Sequence, residues 1–109
     1  MTTVTIYKSN ENMYKGFTCK GHAGYAGFGK DIICASISIL VINTINSLEE
    51  LASQAMTIKD DESTGYIDCC FVQECNEKSK LLMDSMILGL QSIVQQGGKK
   101  YLKLRFEEV

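Results

Sequence analysis

The sequence predicts an α+β fold, a single mostly antiparallel sheet with two helices packed on it in the order β-β-α-β-β-α-β. Three observations predict it. Short runs that alternate apolar and polar residues come in pairs separated by turn residues, which reads as hairpins. Two longer stretches repeat their apolar residues at helical spacing, and a last alternating run follows a glycine pair. With 109 residues, 45% of them hydrophobic, nine Gly and no Pro, the chain suits one globular domain spanning 1–109 with one core.

The elements follow in order. Val4 and Ile6 with their flanking threonines make a first strand, 10–12 a turn, and 14–20 a second strand that pairs with the first. From Asp31 to about Ser53, the residues Ile33, Ile37, Leu40, Val41, Ile45, Leu48 and Leu51 recur at the spacing of one helix face. The β-branched content there would suit a strand, but the length of the run decides for helix. Residues 57–59 and 65–73 form a second hairpin around 60–63. Asn76 is an N-cap for a second helix whose face is Leu82, Met83, Met86, Leu90, Ile93 and Val94, closed by Gly97 and Gly98. Residues 101–106 alternate as the last strand.

Eleven basic against thirteen acidic residues give a formal charge of −2, without the basic stripe that neutralises a phosphate backbone, so no direct nucleic-acid partner is expected. The N-terminus alternates like a strand and lacks the charged and apolar regions of an export signal. The apolar run 32–42 is shorter than the roughly 20 residues that span a bilayer. A cytoplasmic protein with no membrane partner is the expectation. The five cysteines, at 19, 34, 69, 70 and 75, are an odd set without framework spacing and without a CxxC pair. Thiols kept reduced, with no metal and no cofactor, fit this better than disulfides or zinc.

The segment 21–36, GHAGYAGFGKDIICAS, concentrates four glycines, the one histidine and a cysteine ahead of the first helix. Gly24, Gly29 and Lys30 fall where a phosphate loop requires them, but Asp31 stands in place of the hydroxyl that meets magnesium. Its carboxylate would face phosphate charge of the same sign, and a mostly antiparallel sheet is the wrong setting for such a loop. A nucleotide binder therefore stays a minor alternative.

The other reading is a thiol nucleophile with a base. A Cys34 in the first helical turn would have its thiolate favoured by unpaired N–H groups and the helix dipole. His22, at the end of the second strand, has twelve residues in which to fold back and act as base or ion-pair partner. Asp31, Cys34 and Ser38 lie along one helix face; Ser38 could hydrogen-bond the thiolate, and Asp31 could cap the helix or orient His22. Gly21, Gly24, Gly27 and Gly29, interleaved with Tyr25 and Phe28, suit a mobile loop that clasps an extended peptide. A buried structural cysteine, a hydrogen-bonded surface histidine and a plain glycine turn are the competing readings of the same residues.

The string Gly21-His22-Ala23, followed by Gly29, Asp31-Ile32-Ile33-Cys34-Ala35, Ile37 and Ser38, closely resembles the hallmark of the bacterial ribosomal-processing cysteine protease family. The length and element order resemble that family along almost the whole chain. The resemblance implies a cytosolic endopeptidase that removes a short N-terminal extension from a large-subunit ribosomal protein after an aromatic pair, acting as a homodimer. It implies that His22 is the catalytic histidine and Cys34 the nucleophile, with Asp31 and Ser38 at the accompanying polar positions. A non-catalytic module that binds the ribosome or a ribosomal protein through the same groove is the alternative from another class.

Overall fold

The computed structural model describes the backbone of residues 1–21 and 28–109 and the side chains of 1–21 and 32–109. His22, Gly24 and Gly27 lie outside the described residues. The elements are β1 (Thr2–Lys8), β2 (Tyr14–Lys20), α1 (Phe28–Glu50), β3 (Met56–Asp61), β4 (Tyr66–Phe71), α2 (Glu77–Gln95), a 3₁₀ turn (Gly98–Lys100) and β5 (Leu102–Glu108). The order is the expected one. The five strands lie in the order β3-β4-β2-β1-β5. Three of the pairings are antiparallel, and β1 with β5 is parallel. α2 carries the chain from β4 back across the sheet, so β5 runs in the same direction as β4 and hence parallel to β1.

The register decides which side chains the helices cover. Val4 stands opposite Cys19 and Ile6 opposite Phe17; Phe17 in turn stands opposite Cys69 and Cys19 opposite Ile67. Together with Ile37, Val41 and Leu48 of α1 and Met83, Met86 and Leu90 of α2, this face forms the buried cluster. Thr3, Thr5 and Tyr7 point to the opposite face, as the period of two requires. Cys69 is buried and its neighbour Cys70 exposed, the same alternation seen in one dipeptide.

α1 differs from expectation at both ends, and α2 does not. α1 begins at Phe28 and stops at Glu50, so it starts ahead of Asp31 and ends short of Ser53. A glycine near a helix end costs only about 1 kcal/mol, and Gly29 is accommodated inside the first turn. At the other end Ser53 takes a left-handed conformation (φ 51°), and the N–H groups of Ala52 and Gln54 return to the carbonyls of Ser47 and Leu48, satisfying the last turn. Leu51, expected on the buried face, is therefore exposed. α2 is capped as expected: the Asn76 side chain accepts from the Ser79 N–H at 2.8 Å and its amide donates to the Ala52 carbonyl at 3.0 Å. Gly97 (φ 104°) turns the chain out of the helix. Ile87 is buried alongside the expected α2 face.

Candidate active site

β2 finishes at Lys20, immediately before the glycine that opens the candidate site segment. Gly21 leaves the strand with φ 85°, and a Cβ at this position would stand 2.8 Å from the Met1 carbonyl oxygen. Both facts exclude a side chain here. The glycine immediately before His22 is thus explained by the turn it makes, whatever else the loop does. Of the other proposed loop glycines, Gly29 is in the first turn of α1, because the helix starts one residue earlier.

Cys34 lies in the second turn of α1 and not in the first. In a helix that begins at Phe28, its N–H is within the regular ladder, and the dipole acts most strongly on the first turn. The helix-tip account of an activated thiolate is corrected accordingly. Asp31 is inside the first turn, so it is not the N-cap residue, and that role is withdrawn. Cys34, Asp31 and Ser38 keep their shared helical face, since α1 is continuous through all three. The Cys34 side chain is buried with 8% of its surface left open, and Ser38 is half-buried.

Cys19, on β2 two residues before Gly21, has its thiol pushed up to about 11, first by burial and then by the neighbouring Cys34 sulfur. No local pattern signals this pair, because it arises from packing α1 across β2. On the uncovered face of the sheet a cleft of about 580 Å³ reaches Gly21 and is lined by Thr3, Tyr7, Thr18, Lys20, Tyr66 and Arg105. Among the described residues no group of three or more His, Cys, Asp or Glu side chains is placed to hold a metal.

A thiol at this position, beside the strand exit that feeds a histidine, can serve nucleophilic attack on a carbonyl. The comparisons with known proteins agree on that chemistry. A family profile described as Cysteine protease Prp matches residues 1–103. The Ribosomal processing cysteine protease Prp of Staphylococcus aureus (strain Mu50 / ATCC 700699) is 28% identical over 96 residues, covering 88% of this chain and 91% of its own. The protein of the same name from Bacillus subtilis (strain 168) is 30% identical over 97 residues, covering 85% of this chain and 87% of its own. The crystal structure of the S. aureus protease in complex with a substrate peptide superposes with a TM-score of 0.89 at 25% identity, over 98% of this chain and 100% of that one. A second S. aureus structure, with a covalently linked product peptide, gives a TM-score of 0.87 at 26% identity over 98% of this chain and 100% of that one. With the profile matching residues 1–103 and a relative 30% identical over most of both chains, the chain belongs to the cysteine protease Prp family.

Proposed function

We propose that this chain is a single endopeptidase domain over 1–109 that removes the N-terminal extension of a bacterial large-subunit ribosomal protein, with Cys34 as nucleophile and His22 as acid and base. The carrying observation is the end-to-end structural match to a ribosomal processing protease bound to a substrate peptide. Cys34 thiolate attacks the scissile carbonyl, forming a C–S bond. His22 delivers a proton to the amine as the C–N bond breaks. Water, losing its proton to His22, then releases the acyl group and restores the thiolate. Backbone N–H groups of the first turn of α1 are suited to the oxyanion. Ser38 and Asp31 support the thiol and the imidazole, and Gly21, Gly24, Gly27 and Gly29 contribute to substrate binding. The protein works in the cytosol as a homodimer, with no metal or cofactor and no direct nucleic-acid contact.

Mass spectrometry of the ribosomal protein carrying its extension, before and after incubation with the enzyme, tests this. Loss of the extension by the wild type and not by Cys34→Ala is the expected result; cleavage by Cys34→Ala, or none by the wild type, overturns it.

A further inference from the structure

Both helices pack on one face of the sheet, and the cleft of about 580 Å³ lies on the other. β1 runs along its floor. Thr3 and Thr5 point to that face, as the period of two requires, and the register brings charge beside them. Lys20 stands opposite Thr3 and Thr18 opposite Thr5 on β2, while Arg105 pairs with Thr5 on β5. Two cations from different strands therefore flank three threonine hydroxyls, and the rings of Tyr7 and Tyr66 complete the lining. Neither cation is neutralised: among the described residues the one ion pair joins Lys80 to Asp84 on α2. Asp68, opposite Thr18, and Glu107, paired with Tyr7, share the face, yet neither lines the cleft. Thr5 is the second observation. It is only 6% exposed, it lines the cleft, and its hydroxyl has no hydrogen-bond partner among the described residues, whereas a buried hydroxyl is ordinarily paired.

We propose that this cleft binds a small phosphate ester with a planar aromatic body, the chemistry of a mononucleotide, at a site separated from Cys34 by the thickness of the sheet. A phosphate monoester carries close to two negative charges near neutral pH and three strong acceptor oxygens. Arg105 presents a planar fork that holds two of those oxygens, Lys20 a compact second charge, and the threonines hydroxyl donors for the rest. A wall with cations and no carboxylate concentrates such an anion. The tyrosine rings give a flat body a surface to pack on, and the volume lies within the roughly 300 to 1,000 Å³ of small-molecule sites. Two larger anions fit less well. A nucleic-acid strand needs a cationic track leading out of the cleft, and on this face Asp68 and Glu107 stand there instead. An acidic peptide spaces the carboxylates of one edge about 7 Å apart, whereas here the donors converge on one depression.

Titration of the ¹⁵N-labelled protein with AMP, adenosine, inorganic phosphate, a tetraglutamate peptide and an oligoadenylate, followed by ¹H–¹⁵N correlation spectra, tests the assignment. AMP should shift the amides of Thr3, Thr5, Thr18, Lys20 and Arg105 saturably, more tightly than adenosine or phosphate alone. Lys20→Met and Arg105→Met, both at exposed positions and checked for folding by the same spectra, should each weaken AMP by about tenfold or more, as loss of a charged hydrogen bond does. Thr5→Val should weaken it too. Cys34→Ala should bind AMP like the wild type, which keeps this result independent of the protease reading. Absence of saturable shifts with AMP, or shifts that both cation variants leave unchanged, overturns the proposal. Tighter binding of the oligoadenylate than of AMP makes the ligand a nucleic acid and overturns it as well, and tetraglutamate binding as tightly as AMP removes the phosphate from it.

Discussion

Cys19 on β2 and Cys34 on α1 lie within electrostatic reach of each other, so that charge on the Cys34 sulfur makes the Cys19 thiol harder to ionise. Burial is the larger cause, and it keeps the Cys19 thiol protonated well above neutral pH.

The first prediction is selective loss of activity. Cys34→Ala should lower kcat by about four orders of magnitude or more, as removal of a nucleophile does, while Cys19→Ala should leave kcat within about tenfold and lower the melting temperature, in line with deletion of a small buried group. Steady-state cleavage of an extension-derived peptide, with thermal melts of both variants, checks it. Comparable loss of activity in both would mean that the sulfur at 19 takes part.

Alkaline instability is the second. Burial pushes Cys19 up to about 11 and Cys69 up to about 12, Cys69 also feeling Asp68 and Cys70. A group raised in the folded state contributes stability fully below its unfolded value of 9.0 and loses it as pH rises toward the folded value. Unfolding free energy should thus fall between about pH 9 and 12, by up to about 1.4 kcal/mol per pH unit for each thiol. Urea titrations across this range should show a shallower decline for Cys69→Ala than for the wild type.

Gly16→Ala, in the central strand β2, should be strongly damaging. Gly16 has φ 145°, and a Cβ there would stand 2.1 Å from the Cys69 carbonyl oxygen, which is backbone and cannot rotate aside. Breaking the β2–β4 pairing at this point should cost about 3 kcal/mol or more, a fall in melting temperature of about 12 °C or more for a domain of this size. Gly89→Ala is the contrast: its Cβ would meet the end of the Leu40 side chain at 2.7 Å, a flexible group, and should cost about 1 kcal/mol.

Asn76→Ala removes both the cap of α2 and the amide bond to the Ala52 carbonyl that ties the two helix ends together. A loss of about 1 to 2 kcal/mol is expected, with Asn76→Asp recovering the cap and not the tie. Equilibrium denaturation of the three proteins separates the two contributions.

The fold was legible where periodicity and turn chemistry agree. Asn76, the alternation of 66–71 and the apolar repeat of α1 all lead to the observed elements. The start of α1 was obscured because Asp31 looks like a capping residue and Gly29 looks like loop, whereas the helix runs through both. The parallel partnership of β5 with β1 carries no local signal at all, since alternation is the same in either direction. Within the site, Cys34 and Gly21 could be singled out from one dense segment, and the neighbouring thiol of Cys19 could not, because only the crossing of α1 over β2 brings the two together.

The pairing of Thr2 with Leu102 means that an early strand obtains one of its two neighbours only from residues translated about a hundred positions later. Until β5 emerges, β1 presents an open edge, the kind of template on which chains aggregate, and the native topology must wait on a long-range closure that is slow to find. A nascent copy therefore cannot complete this sheet until β5 has been made and has found β1.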